Sequence, residues 1–377
     1  MSQTKVEAPF IQRNEIFRNK FCNGDFQLHQ RFDGSATAAS TAYMSFDRIK
    51  TLLINTGAAW TVEKETLSVT DLATTGHKQA LEVKCTTADT STGAAEYNAV
   101  FFSLEANSLQ DLNYGTSAAK SLTVSFWVRS YQTGTFVLTA AKSDSTTYYN
   151  PKEYTINASN TWEHKVLTFS PTAGGTSLIT SSNGVINNDT GQGMHFYFML
   201  NAGSNYHATN DTWATSGIAT SNQTNMMSST DNHWSITGLQ IETGDQATDF
   251  EYIPFDVQLK RCQRYCFVNH LYSGGGATGA VGSGQCNTTT RADIPYHFPT
   301  TMRAIPTVSV SDATKLRVQH AGSVTALSSF AAEAEGTGES FHTCIIYATV
   351  SSGLTAGRGV NLIHNNAAVT ITCDAEF

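Results

Sequence analysis

The chain has 377 residues, enough for about two or three domains, and only 14% of them are charged, against roughly 25% in ordinary soluble domains. Its formal net charge is −8 and it has no run of Lys or Arg, so we expect no nucleic-acid binding, which depends on a basic surface. No apolar stretch approaches the ~20 residues of a membrane-spanning helix, so we expect no membrane insertion.

The first segment, residues 1–15, has mixed polarity and no clear hydrophobic period, and Pro9 would interrupt regular structure there. The segment also lacks the apolar core of a signal peptide. We therefore interpret 1–15 as an N-terminal docking arm, on a protein that is made in a cytoplasm and not exported by that route.

Short strand-like runs alternate with turn-rich polar stretches over residues 16–255. Apolar side chains at alternate positions of "SLTVSFWVRS" (121–130) are predicted to share one face of a strand; they are Leu122, Val124, Phe126 and Val128. Gly, Asn, Ser and Thr fill the spaces between the runs. Many short strands separated by such turn residues predict an antiparallel β-sandwich.

A long polar segment, residues 202–232, contains Tyr206, His207 and Trp213. Loops of this length are commonly functional, and an exposed aromatic ring can stack on the apolar face of a sugar. We predict that these three residues bind a glycan; the alternative is that they pack in the core, as large aromatic side chains usually do. Trp127 is offset from the apolar face of its strand, which leaves it either exposed or in a second core.

The most helix-like pattern follows Pro254, with Asp256 as a suitable N-cap and apolar residues spaced three and four apart. It predicts a short linker helix over residues 256–268. Residues 269–377 return to strand-like alternation and predict a second, smaller β domain.

The seven cysteines form an odd, dispersed set, which favours free and buried thiols. Cys262, Cys266 and His270 are four residues apart, a spacing that would place soft-metal ligands on one face of a helix. Simple packing of the thiols is the alternative interpretation.

Three segments carry a family resemblance: "FCNGDFQLHQR" (21–31), "YMSFDR" (43–48) and "LQIETGDQATDFEYIPFDVQLKRCQRYC" (239–266). They resemble motifs of tailed-bacteriophage virion appendages, meaning tail fibres and related receptor-binding proteins. In that family an "NGDF…WQR" opening and a "Y..DRW" segment begin a jelly roll similar to carbohydrate-binding modules, and a segment ending in "CQRYY" closes it. This chain departs from the family pattern at four positions: His29, Ile49, Ile253 and Cys266.

The resemblance implies an all-β protein. An antiparallel jelly-roll β-sandwich would occupy residues 16–255, and the 256–268 hinge helix would lead to a second, smaller β-sandwich over 269–377. Jelly rolls of this kind often carry a structural calcium ion where their two ends meet, and carboxylates with backbone carbonyls suit that ion. This implies Asp25 and Asp249 as calcium ligands; the alternative is that they are turn and edge residues.

The same resemblance implies a structural virion protein that attaches to host surface glycans, forms a homotrimer and docks on other virion proteins through residues 1–15. One alternative is a capsid head fibre or decoration protein, and another is a polysaccharide depolymerase. The sequence has no GxSxG, HExxH or P-loop motif. Glu63 and Glu65 share a strand face, whereas glycoside hydrolysis needs two carboxylates on opposite sides of a substrate. We therefore expect no enzymatic activity, and no cofactor other than the structural calcium.

Overall fold

The computed structural model of the protein describes residues 17–271, 279–333, 341–364 and 368–377. The docking arm predicted over residues 1–15 lies outside the described residues. Within them, no helix is long and apolar enough to cross a membrane.

Antiparallel strands of the first part of the chain form a β-sandwich. Within residues 17–271 its strands are β1 (Thr37–Ala38), β2 (Lys50–Ile54), β3 (Ala59–Thr66), β4 (Gln79–Thr87), β5 (Tyr97–Glu105), β6 (Leu122–Ser130), β7 (Gly134–Lys142), β8 (Tyr148–Ile156), β9 (Glu163–Phe169), β10 (Gln192–Ala202) and β11 (His233–Thr243). One sheet, the β11 sheet, has the order β1-β3-β4-β11-β6-β9; the other, the β10 sheet, has the order β2-β5-β10-β7-β8. The chain crosses repeatedly between the two sheets, as in a jelly roll.

The core of this sandwich forms because alternate residues of each strand face the opposite sheet. The predicted face of β6 is confirmed, since Leu122, Val124, Phe126 and Val128 are all fully buried in it. On β10, the ring of Phe196 stacks on Phe102 with centroids 4.9 Å apart. Each such aromatic side chain contributes about 1.5–3 kcal/mol when fully buried.

Two α-helices and several short 3₁₀ segments connect the strands within the described ranges. Helix α1 (Val69–Thr75) begins with a capping box between Ser68 and Asp71 and ends at Gly76, whose φ of +80° is the left-handed conformation that glycine tolerates. The 3₁₀ segments are Ala106–Leu112, Ala173–Gly175, Ser182–Gly184, Ser204–Tyr206, Met226–Ser228 and Ala313–Lys315.

Helix α2 (Phe255–Gln263) is the linker that the sequence predicts, but with different ends. Pro254, not Asp256, is its N-cap residue. The helix does not continue to residue 268, because the backbone from Cys266 onward pairs with a strand at the end of the chain, Cys266 opposite Asp374. Cys262 and Cys266 therefore do not share a helix face, and no metal-binding group of three or more His, Cys, Asp or Glu side chains occurs in the described residues.

A second, smaller β-sandwich follows α2. Its strands in the described residues are β12 (Cys266–Leu271), β13 (Ala280–Cys286), β14 (Arg291–His297), β15 (Thr307–Val310), β16 (Leu316–His320), β17 (Ser323–Ala326), β18 (Ser329–Glu333), β19 (Thr343–Thr349), β20 (Gly359–His364) and β21 (Val369–Asp374). They pair as β12-β21-β15 and as β17-β16-β20-β13-β14-β19-β18, over a core that includes Ile294, Ile346, Leu362 and Ile371. The predicted fold class, an all-β jelly roll followed by a short helix and a second β-sandwich, is confirmed.

A buried ion pair joins the two sandwiches. Arg48, 1% exposed, forms an ion pair with Glu376 and donates to the carbonyl oxygen of Ser103 at 2.6 Å. The Arg48 guanidinium also lies 3.4 Å from the centroid of the Tyr265 ring. The Tyr265 hydroxyl in turn donates to Glu105 at 2.8 Å. We call these contacts the junction.

Replacing Arg48 by Met should lower the free energy of unfolding by about 3–5 kcal/mol, because Glu376 is then a buried carboxylate without its main partner. Unfolding of the purified chain in urea measures this loss. The double variant Arg48→Met/Glu376→Met should recover much of it, since an apolar pair replaces the ionic one. Arg358→Met, at an exposed position, serves as the control. An Arg48→Met protein as stable as the wild type would contradict the role assigned to the junction.

Candidate functional site

Tyr206 and His207 lie where β10 leads into the loop 203–232. The Tyr206 ring contacts the ring of Tyr97 edge-on, with centroids 4.8 Å apart, and both rings are half-buried. His207 is also half-buried, with its Nε2 3.2 Å from the carbonyl oxygen of Ala202. These two predicted residues therefore reach the molecular surface.

Trp213 does not reach the surface, so the expectation of an exposed ring is wrong. The side chain is 1% exposed, belongs to the main core and donates from Nε1 to the carbonyl oxygen of Ser170 at 2.8 Å. The cause is a pair of backbone hydrogen bonds between Ala214 and Tyr149, at 2.8 and 2.9 Å, which ties the loop to β8. This pairing holds Trp213 in the core although its sequence neighbours are polar.

A continuous group of aromatic side chains covers the outer surface of the β10 sheet, and we call it the tyrosine face. It forms because residues of β5, β8 and β10 that alternate with the core positions point away from the core. Tyr197 is paired with Phe101 across β10 and β5, with ring centroids 5.0 Å apart. His195 lies 5.2 Å from Tyr197 by the same measure. Its members are Tyr97, Phe101, Tyr149, His195, Tyr197 and Tyr206.

The tyrosine face carries hydrogen-bonding groups without net charge. Burial lowers the pKa of His195 to about 4, so the imidazole is neutral near pH 7. Its Nδ1 lies 2.7 Å from the Ser143 hydroxyl, and its Nε2 lies 3.2 Å from the Tyr197 hydroxyl. Burial raises the pKa of the Tyr197 phenol, with neighbouring Tyr149 and Tyr97 adding to the effect. The face can therefore stack on a flat ring and exchange neutral hydrogen bonds with its substituents.

The two predicted calcium ligands are not part of a carboxylate cluster in the described residues. Asp25 is buried, and its two oxygens accept hydrogen bonds from the amides of Gln258, at 2.7 Å, and Gln27. Asp249 is exposed, and its backbone oxygen accepts from Arg18 and Gln240, both at 3.2 Å. Because amides already occupy the Asp25 carboxylate, its side chain links the turn that contains Asp25 and Gln27 to α2.

An acidic group occupies the outer surface of the β11 sheet, on the strand that carries Glu63 and Glu65. Glu63 lies directly opposite Glu82 across β3 and β4. Lys84 pairs with both Glu63 and Glu82, the latter at 3.2 Å, and Arg129 pairs with Glu65. Glu63, Glu65 and Glu82 are therefore each paired with a cationic side chain of the same sheet, which compensates their negative charge.

Comparison with solved structures gives distant likenesses only. They include the CBM22-1 xylan-binding domain of Paenibacillus barcinonensis Xyn10C, at 13% identity over 57% of this chain and 97% of that one, with a TM-score of 0.28. The family 11 carbohydrate-binding module of the Clostridium thermocellum cellulase Lic26A-Cel5E shows 12% identity over 58% and 99%, with a TM-score of 0.28. The enzymatically active domain of bacteriophage CBA120 tailspike protein 4 shows 9% identity over 60% of this chain and 22% of that one, also with a TM-score of 0.28.

No protein-family model matches the chain, and no curated protein matches it. TM-scores of 0.28 are too low to support a function, and the proposed function therefore depends on the residues of this chain.

The acidic group predicts a pH dependence of stability. Burial, and next the charge of Glu65, raise the pKa of Glu82 from its ordinary 4.5 to about 7. A raised carboxyl pKa means that the folded state binds the proton more tightly than the unfolded state does. The contribution of Glu82 to stability is therefore fully present below pH 4.5 and is lost as the pH rises toward 7.

Glu82→Gln should flatten this part of the curve of unfolding free energy against pH, measured by urea unfolding between pH 4.5 and 8. Asp231→Asn, at an exposed position, should leave the wild-type slope in place. If the unfolding free energy of the Glu82→Gln protein changed with pH as steeply as that of the wild type, Glu82 would not be the source of the pH dependence.

Proposed function

We propose that this chain is a structural, glycan-binding appendage of a tailed-bacteriophage virion, and that the tyrosine face is where a host surface glycan binds. The observation that carries the binding proposal is the aromatic surface of the β10 sheet. On this proposal the protein binds its ligand and does not turn it over.

The chemistry of the tyrosine face suits a carbohydrate in two respects. The rings of Tyr97, Tyr149 and Tyr197 are half-buried, so each is held in place yet keeps an edge or face at the surface. Sugars have apolar C–H surfaces that pack on aromatic rings, and hydroxyl groups that exchange hydrogen bonds with phenols. The aromatic members of the face are uncharged, so a ligand stacked on them loses little affinity in high salt, where electrostatic contacts are screened.

The virion part of the proposal is supported by the resemblance of residues 21–31 and 239–266 to appendage motifs. These two segments meet in the structure and close the first sandwich. The amide nitrogen of Leu239 donates to the carbonyl oxygen of Gly24 at 2.8 Å. A Cβ atom on Gly24 would lie 2.0 Å from the carbonyl oxygen of Leu239, so only glycine fits there. The motif residues thus have a structural role, one that a shared appendage fold would need.

The proposal includes an assembly. The protein would be made in the host cytoplasm, join the virion as a homotrimer and dock on other virion proteins through residues 1–15. A tail fibre and a head fibre or capsid decoration protein differ here only in where that docking occurs.

Binding to an array of host surface glycans tests the tyrosine face. Tyr197→Ala should lower the affinity for the bound glycan by about tenfold, which is about 1.4 kcal/mol, because Tyr197 lies at the centre of the face and central aromatic residues carry much of the binding energy of a surface. Tyr197→Phe, which keeps the ring, should lose less. Tyr131→Ala, at an exposed tyrosine elsewhere on the sandwich, is the matched control and should bind normally. Equal affinities for all four proteins would exclude the tyrosine face as the binding surface.

Immunogold labelling of intact phage particles with an antibody against residues 285–377 tests the location. Label at the tail fibres is the expected result. Label spread over the head would favour the decoration role, and unlabelled particles beside a positive control would contradict a place in the virion.

A further inference from the structure

The outer surface of the β11 sheet holds a groove that no part of the proposed function uses. Its volume is about 460 Å³, within the range of about 300–1,000 Å³ that is usual for small-molecule sites. Because β10 and β11 lie in opposite sheets, this groove opens on the side of the sandwich away from the tyrosine face. We call it the Trp127 groove, after the residue that forms one wall.

One wall of the groove is aromatic and comes from paired strands. Trp127 on β6 lies opposite His164 on β9, with ring centroids 5.0 Å apart. Trp127 is half-buried and packs against the cluster of Leu67, Ala80 and Trp162, and His164 is exposed, so this wall is held in place and accessible from solvent. Aromatic rings held in this way are platforms for a flat ligand.

The floor of the groove depends on Gly238. The pairing of β11 with β6 shifts register between Thr237 and Gln240, and Gly238 lies in this bulge with a φ of +62°. A Cβ atom there would lie 2.5 Å from Nε2 of His77 and 3.2 Å from Cδ1 of Trp127. The missing side chain therefore lets His77 and Trp127 approach the same point of the floor from two directions.

The other wall combines aromatic and polar groups. The rings of Phe250 and His77 meet edge-on at 4.6 Å, and Phe250 meets Tyr252 at 5.0 Å. Tyr252 is 62% exposed, and its hydroxyl donates to the carbonyl oxygen of Gly76 at 2.8 Å, which holds the ring at the groove with one side open to solvent. Asp249 lies beside them with an exposed carboxylate that accepts no hydrogen bond from any other described side chain.

His77 gives the groove an unused polar group. The side chain is 3% exposed, and its Nδ1 has no hydrogen-bond partner among the described residues. Burial lowers its pKa to about 4, so the ring is neutral at pH 7 and can donate from one nitrogen and accept at the other. A ligand that reaches the His77 ring would supply a partner for this atom, which is one of several buried polar atoms without a partner in the described residues.

From these observations we infer that the Trp127 groove is a second carbohydrate-binding site, which takes a single pyranose ring or the end of a glycan chain. The C–H face of the sugar packs on Trp127, and two neighbouring hydroxyls donate to the Asp249 carboxylate. A groove of about 460 Å³ suits a single ring or a chain end better than a long polymer. This site is independent of the tyrosine face, so either can exist without the other.

Fluorine NMR of protein labelled with 5-fluorotryptophan tests the inference, because the chain has five tryptophans and Trp127→Phe identifies one resonance. The probes are methyl glycosides of glucose, galactose, mannose and N-acetylglucosamine, with choline chloride as a cationic probe. At least one sugar should shift the Trp127 resonance, and it should do so equally in the Tyr197→Ala protein.

Variants of exposed residues keep the test independent of folding. Asp249→Asn and Tyr252→Ala should each weaken the sugar titration about tenfold, whereas Tyr131→Ala should not change it. Unchanged resonances of the buried Trp60, Trp213 and Trp234 confirm that each variant is folded. Two results would overturn the inference. The first is a shift of the Trp127 resonance with choline but with no sugar. The second is no shift with any sugar at 50-fold the concentration that saturates the tyrosine face, or at ~50 mM if the tyrosine face binds no sugar.

Discussion

The arrangement of the two sandwiches depends on one buried positive charge. Arg48 comes from the first sandwich, and its guanidinium is enclosed by Glu376, the carbonyl oxygen of Ser103 and the ring of Tyr265. A charge removed from water in this way is costly unless every partner is in place, so β5, the segment after α2 and the segment that contains Glu376 must assemble around it together. The junction thereby couples the end of the second sandwich to the folding of the first.

Neighbouring contacts extend this coupling. Although burial opposes it, hydrogen bonds from Arg264 and Tyr265 lower the pKa of Glu105 below its usual value. Arg303 donates from Nε to the carbonyl oxygen of Ala375 at 2.8 Å and lies 4.0 Å from the centroid of the Phe377 ring. Charged and aromatic groups therefore fill the contact between the two sandwiches. These contacts hold the sandwiches together, whereas a flexible linker alone would allow them to move apart. The outward surfaces of the first sandwich are consequently presented in a fixed orientation relative to the second.

The sequence predicts the strands well where one face is polar and the other apolar. The alternation in β6 identifies its core residues correctly, because only one of its faces is apolar. β10 is different: Phe196 and Tyr197 are both aromatic yet point to opposite sides, so periodicity alone cannot tell which side meets solvent. The sequence pattern therefore does not identify the tyrosine face, although it points to Tyr206 at the margin of that face.

Errors elsewhere come from contacts between residues distant in sequence. Trp213 lies among polar neighbours, and only the pairing of its loop with β8 places it in the core. The predicted helix runs too far because its last turn is replaced by pairing of β12 with β21. The Trp127 groove needs residues from β6, β9, the turn before β4 and the segment after β11, and no local pattern brings these together. Local propensity is overridden by tertiary pairing in each case.

The seven cysteines are all buried and unpaired, and they are spread through the molecule. Cys85 lies in the first core, Cys22 packs with Cys262 of α2, Cys266 begins β12, and Cys286, Cys344 and Cys373 lie in the second core. A thiol can react with a reagent in solution only when its surroundings open. Each part of the fold therefore contains a thiol that reports its opening. The order in which the thiols become reactive would show whether the two sandwiches open separately or together.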